Sequence, residues 1–167
     1  NTLGYRDARI VYDSVSFVNN EFIRIKIQIE EGGQYYFRNI VWTGNTKYTV
    51  KDLDAVLGIM KGDVYNPDLL EQKLHMSPTG IDISSLYMDN GYLFFSVVPV
   101  EIGVEKDSID LEIRLFEGPQ ATISSVTISG NLRTSDHVIL RELRTRPGEK
   151  FSRADIIRSQ RELNQLG

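Results

Sequence analysis

The sequence predicts an α+β fold: tandem β-α-α-β-β modules, each a three-stranded mixed sheet covered on one face by two helices. Three observations carry that prediction. Short punctuation motifs recur at one fixed spacing, several segments alternate apolar and polar residues, and the stretches between them carry apolar residues at helical intervals.

The repeat comes first, because it sets the frame for everything else. Glu31-Gly32 returns as Glu117-Gly118, Gly44-Asn45 as Gly130-Asn131, Lys61-Gly62 as Pro147-Gly148 and Tyr65 as Phe151, every pair 86 residues apart. Gly4-Tyr5-Arg6-Asp7-Ala8 matches Gly91-Tyr92-Leu93-Phe94-Phe95 at an offset of 87, so the segment between differs by one residue. Marks that hold one offset over such a distance define a domain-sized tandem repeat.

Within one period the elements follow in order. Gln34 to Thr43 is rich in aromatic and β-branched residues and predicts a strand with Ile40 and Trp42 on one face. Gly44-Asn45 usually announces a hairpin. Here Thr49 and Asp52 instead form a capping box ahead of Val50, Leu53, Val56 and Leu57, an amphipathic helical stripe stopped by Lys61-Gly62-Asp63. A second helix starts at Asn66-Pro67 and carries Leu69, Leu70 and Leu74. Ser77-Pro78-Thr79-Gly80 interrupts it, and it resumes through Ile83, Leu86 and Tyr87 to end at Asn90-Gly91. Strands over Phe94 to Ile102 and Ile109 to Phe116 close the unit. The latter places Ile109, Leu111, Ile113 and Leu115 on one face, and Ile23, Ile25, Ile27 and Ile29 repeat that pattern.

Composition narrows the function. With 41% hydrophobic and 25% charged residues the 167-residue chain is a globular protein rather than a disordered one. A net charge of −4 argues against nucleic acid as a partner. No run approaches the roughly 18 apolar residues of a membrane span. The absence of cysteine excludes disulfides, thiolate metal sites and a cysteine nucleophile. The first residue is not methionine, so a processed or excised piece is expected.

No catalytic constellation, cofactor-binding motif or metal-ligating cluster is legible, and a non-enzymatic role is expected. His75 and His137 lie on different repeats without a second ligand near in sequence, which makes them surface or structural residues. Asp52 with Asp54, and Glu101 with Glu105, read as solvated faces. No Lys-Ser/Thr follows Gly44-Asn45 or Gly130-Asn131 at phosphate-loop spacing.

A strand ending in Gly-Asn, two helices, Tyr87-Met88-Asp89-Asn90-Gly91-Tyr92 and a strand ending in Glu-Gly together resemble the POTRA (polypeptide-transport-associated) family. These are soluble modules that precede the β-barrel of Omp85-type outer-membrane proteins. The resemblance divides the chain into residues 1–32, the last two strands of one copy; 33–118, a complete copy; and 119–167, the first strand and two helices of the next. It implies the periplasmic face of a Gram-negative outer membrane. It also implies binding of unfolded outer-membrane protein precursors, accessory lipoproteins as further partners, and a C-terminal β-barrel in the parent chain. Two-partner secretion or import transporters, and a division-site scaffold of the FtsQ type, carry similar modules and remain alternatives.

The family topology pairs the third strand of a module with both others, leaving the second strand as an edge with free backbone groups. Such an edge can accept an extended peptide with little sequence demand. Pro99 blunts that edge in the complete copy, whereas the equivalent Ala8, Arg9, Ile10, Val11, Tyr12, Asp13, Ser14 and Val15 contain no proline. These residues are therefore the expected strand-addition edge, and a bulge within them would count against it. Phe94 and Val98 are expected to point outward and mark an apolar contact.

The half copies pose a packing problem. Residues 1–32 lack helices to cover Ile23, Ile25, Ile27 and Ile29, and residues 119–167 lack strands for Val138, Leu140, Leu143, Ile156, Ile157 and Leu163. Self-association of the chain through these half domains is one expected outcome. At the joints, Gly32-Gly33 permits bending and Pro119 restrains it, so a stiffer second joint is expected.

Overall fold

A computed structural model describes residues 3–19 and 21–165. Strands β1 (Arg9–Phe17) and β2 (Ile23–Glu30) form an antiparallel hairpin. Strand β3 (Tyr36–Thr43) is followed by helices α1 (Val50–Leu57), α2 (Pro67–Leu74) and α3 (Ile83–Met88). The hairpin β4 (Ser96–Glu105) and β5 (Ser108–Phe116) comes next, then helices α4 (Asp136–Glu142) and α5 (Arg153–Asn164). The three-stranded sheet has the order β3-β5-β4, with β5 parallel to β3 and antiparallel to β4. It is a mixed sheet with β4 at its edge.

The alternation in β5 works as the sequence predicts. Ile109, Leu111, Ile113 and Leu115 are buried under the helices, together with Leu53 and Leu57 of α1, Leu70 and Leu74 of α2, and Ile83 and Tyr87 of α3. Phe37 and Trp42 enter from β3, and Phe95 and Val97 from the β4 side. The indole N–H of Trp42 donates to Asp54 at 2.7 Å, so the ring is buried with its one polar atom satisfied.

The helical region differs from the expected pair in two details. Helix α1 has the Thr49–Asp52 capping box but stops at Leu57, where Gly58 takes a left-handed φ of 64°. Glycine costs least there, so the helix ends before Lys61-Gly62-Asp63, which forms the connecting turn. The Ser77-Pro78-Thr79-Gly80 interruption splits the second helix into α2 and α3. Buried Asp82 caps α3 through Ser85 N (2.8 Å) and also accepts from Ser77 N (3.0 Å), while Ser84 Oγ donates to Leu74 O (2.8 Å). Those bonds satisfy the broken backbone and fix the path of the turn.

The fold of the ends is unequal. In the β1–β2 hairpin Ile23, Ile25, Ile27 and Ile29 are each more than half exposed, because no helix among the described residues packs on them. The strand expected at the start of residues 119–167 does not form a ladder. Among the described residues only an isolated bridge joins Thr122 to Lys150, and no strand lies beside this segment as β5 lies beside β3.

Both joints between modules are built alike. At the first, Tyr35 N donates to Gly4 O (2.9 Å) and Gln34 Nε2 to Leu3 O (2.9 Å). At the second, Ala121 N donates to Gly91 O (2.7 Å) and Gln120 Nε2 to Asn90 O (3.0 Å). Gly4 and Gly91 hold φ of 79° and 94°. A side chain on Gly4 would come within 2.7 Å of Val64. The recurring glycine is thus a docking corner for the next module.

Candidate partner-binding site

A polar knot at the end of β5 ties the turn after β3 and helix α3 to the sheet. Glu117 accepts from Thr46 N at 2.8 Å, Lys47 N at 2.9 Å and Tyr87 Oη at 2.9 Å, and also from Thr46 Oγ1. Burial pushes the Glu117 carboxyl up, but these bonds outweigh it and hold it below the usual carboxylate range. Burial, reinforced by the Glu117 carboxylate, pushes the Tyr87 phenol well up, so it remains a donor. Gly44 brings its backbone so close that a side chain there would sit 2.1 Å from Leu115 O. Tyr87 stacks on Phe95 (4.1 Å between centroids) and meets Tyr92 edge-on. The Gly-Asn, Tyr-x-x-x-Gly-Tyr and Glu-Gly motifs are therefore one structural unit.

At the opposite end of the sheet Arg38 bridges the strands on the outer face. Its guanidinium holds Asp110 through Nε (2.8 Å) and Nη2 (2.5 Å), and also pairs with Glu105. The Arg38 bond lowers the Asp110 carboxyl to about 2. The free edge of β4 lies between these two fastenings.

Both expected edges are interrupted, β1 once and β4 twice. In β1 the register shifts between Ile10 and Tyr12, a bulge at Val11 that falls inside residues 8–15 and counts against an unbroken edge there. Ala8 precedes the strand; Arg9, Ile10, Val11, Tyr12, Asp13 and Val15 are exposed and Ser14 is half-buried. Beyond the bulge, residues 12–17 pair with β2 without a shift and without proline. In β4, Pro99 pairs with Ile113 in mid-strand, and the register shifts again between Glu101 and Gly103. Asp13 faces Ile27 as Pro99 faces Ile113, so the two are equivalent positions.

Phe94 and Val98 are exposed, 60% and 54% respectively. Phe94 sits before the strand, where its Cβ lies close over Gly118, and Val98 faces Arg114 across the ladder on the outer face. Exposed Phe116 lies nearby on β5, paired with Ser96. Val98 thus lies on the outer face of the edge strand and Phe94 in the turn before it, while β1 lies in the separate two-stranded sheet.

One node was not legible in the sequence. Arg153, at the start of α5, reaches back to the complete module, where it donates to Ser85 Oγ (2.5 Å) and His75 O (3.2 Å) and lies 3.5 Å from Asp82. Ala154 N donates to Asp89 at 2.7 Å. Nothing local in Arg153 announces this role. Gln34 and Gln120 carry no local signal of their joint-closing role beyond their identity at the 86-residue offset. His75 lies 3.4 Å from Glu71 and His137 2.9 Å from Ser135. Among the described residues no group of three or more His, Cys, Asp or Glu side chains converges as a metal site, and no helix is long and apolar enough to cross a membrane.

The POTRA family model, described as "Surface antigen variable number repeat", matches residues 35–118 and again 121–167. The chain belongs to the POTRA family. Its POTRA modules are similar over 98% of this chain to a "Putative outer membrane protein assembly factor" of Treponema pallidum, at 25% identity. They are similar over 97% to "Outer membrane protein assembly factor BamA" of Nitratidesulfovibrio vulgaris, at 28% identity. The chain spans about a fifth of the length of each of these curated relatives. A crystal structure of Haemophilus influenzae BamA POTRA3-5 shares the fold, with a TM-score of 0.72 and 19% identity over 99% of this chain and 64% of that one.

Proposed function

We propose that this chain is the periplasmic POTRA region of an outer-membrane β-barrel assembly protein, and that it receives unfolded barrel precursors by strand addition. The observation that carries the reading is the sheet order β3-β5-β4, which leaves the second strand of the module with one unpaired side. Backbone hydrogen bonds to such an edge give affinity without requiring one sequence, which suits a receptor for many precursors. The names of the relatives agree with this role. The run 12–17 of β1, beyond the bulge, is the favoured edge; Pro99 weakens the corresponding edge of β4. Phe94 and Val98 add a shallow apolar contact, and accessory lipoproteins dock on the remaining surface. In this reading residues 1–32, 33–118 and 119–167 are a second half, a whole and a first half of successive modules, and the barrel follows in the parent chain.

The test is a photocrosslinking scan with probes along residues 8–17 and 94–100 of the parent protein in its own envelope. Crosslinks to unfolded barrel precursors, strongest along 12–17, support strand addition. Crosslinks to folded lipoproteins alone make these modules a docking scaffold, and silence along both edges removes the mechanism.

We further propose that the isolated chain self-associates through its half domains. The bare face of Ile23, Ile25, Ile27 and Ile29 matches the apolar groove of Val126, Ile128, Ile139, Leu143 and Leu163, as β5 matches the helices above it. Sedimentation equilibrium of this chain gives a dimer or larger species if this holds, and a monomer at high concentration if it does not.

A further inference from the structure

The interruption at Ser77-Pro78-Thr79-Gly80 and the start of α5 enclose a cleft of about 500 Å³ between the complete module and the half that follows. Met76, Pro78 and Ile157 give its wall apolar surface, and Met76 is 66% exposed. Ala154, Ile157, Arg158 and Arg161 line it from a single face of α5, spaced one helical turn apart.

The charges in this cleft are unevenly satisfied. Arg153 is engaged by Ser85, His75 O and Asp82, and Asp89 accepts from Ala154 N. Of the two acids on the helix, Asp155 sits in its first turn and Glu162 is held by Arg144 at 2.9 Å. Arg158 and Arg161 are exposed; among the described residues neither makes a direct ion pair, although Arg158 lies close enough to help lower the Glu162 carboxyl that Arg144 holds. In a chain of net charge −4, two exposed guanidinium groups without a direct carboxylate contact, beside an apolar wall, form a locally basic recess.

We propose that this inter-module cleft binds an acidic segment of a partner protein that presents an apolar side chain between its carboxylates. The apolar residue fills the space between Met76, Pro78 and Ile157, and the flanking carboxylates pair with Arg158 and Arg161, whose planar groups suit bidentate contact. A volume of about 500 Å³ takes a few side chains, and a recess between modules fits a protruding segment rather than a flat membrane surface. The site stands apart from the β1 and β4 edges and survives failure of the strand-addition reading. Because both modules contribute walls, its occupant also fastens the joint that Arg153 closes.

The probe is the acetylated, amidated peptide Asp-Glu-Leu-Phe-Glu-Asp, titrated into the isotope-labelled full chain and followed by amide chemical shifts. A control peptide replaces its four acids with lysine. The expected result is shifts at residues 76–80 and 154–161, weakened on the order of tenfold in the R158E/R161E double variant and suppressed by salt. Both arginines are exposed, so the variant keeps its fold. Met76→Glu weakens the acidic peptide independently, through the wall. Shifts located elsewhere, undiminished in R158E/R161E, or equal for the lysine peptide overturn the proposal. So does arginine-dependent binding to phosphatidylglycerol vesicles without peptide binding, which reassigns the recess to an anionic lipid surface.

Discussion

The phenol of Tyr87 donates to the carboxylate of Glu117 across 2.9 Å, joining two residues thirty positions apart. Tyr87 is fully buried in the last turn of α3, while Glu117 follows the central strand, so this bond ties the helical layer to the sheet. Tyr87→Phe removes a bond to a charged acceptor while leaving the stacking on Phe95. The expected loss is about 1.5–3 kcal/mol. Glu117→Ala costs more, because the amides of Thr46 and Lys47 lose their acceptor as well. Urea unfolding followed by the fluorescence of Trp42, the sole tryptophan and a core residue of this module, measures both.

Gly44 and Gly130 hold the same φ of 83° in equivalent turns, yet only Gly44 lies against another backbone. Gly44→Ala meets both left-handed strain and the Leu115 carbonyl, and is expected to cost about 3–5 kcal/mol. Gly130→Ala has open space around it and carries only the conformational cost of about 1–2 kcal/mol. Trp42 fluorescence therefore shows a large shift for the first variant. It shows almost none for the second, whose turn lies outside the complete module.

Acid should loosen the complete module in a defined window. Asp110 is lowered from 3.8 to about 2 by Arg38, and Glu117 is held below 4.5 by the bonds it accepts. A carboxyl with a lower pKa folded than unfolded binds fewer protons in the native state. Its stabilisation is full above the unfolded value and disappears as the pH falls through the folded one. The melting temperature is expected to decline from about pH 4.5 toward pH 2, and Asp110→Asn should flatten the lower part of that decline. Thermal melts across this range check it.

Arg153→Ala should act on the joint more than on the core. Asp82 keeps its bonds to Ser77 and Ser85 without Arg153, so the complete module is expected to lose less than about 1 kcal/mol. The two modules, however, lose the contacts of Arg153 with Ser85 and the His75 carbonyl. Residual dipolar couplings should then fit one rigid body in the parent chain and two in the variant.

Much of this architecture was legible because its causes are local or periodic. The Thr49–Asp52 box, the Asn66-Pro67 start and the alternation of Ile109 through Leu115 each follow from short-range geometry, and all appear as expected. The edge position of Pro99 followed from the topology that the family resemblance implied. The offset of 87 announced a one-residue difference after Ala8, but its place as a bulge at Val11 was not legible, since register depends on both strands of a hairpin and on its turn. The failure of residues 119–130 to form a strand has a similar cause: extended propensity makes a ladder only when a neighbour supplies the partner groups.

By itself the sequence determined the repeat, the element types and the faces that must be buried, because periodicity and turn chemistry act over a few residues. Only the tertiary structure decided why those motifs recur. Glu117, Tyr87 and Gly44 are distant in the chain and meet at one knot, while Gln34 and Gln120 close equivalent joints. The tertiary structure also set Arg153 against Asp82 and left Arg158 and Arg161 around an open cleft. Such placements depend on which surfaces remain after the core has packed, and no local pattern encodes that remainder.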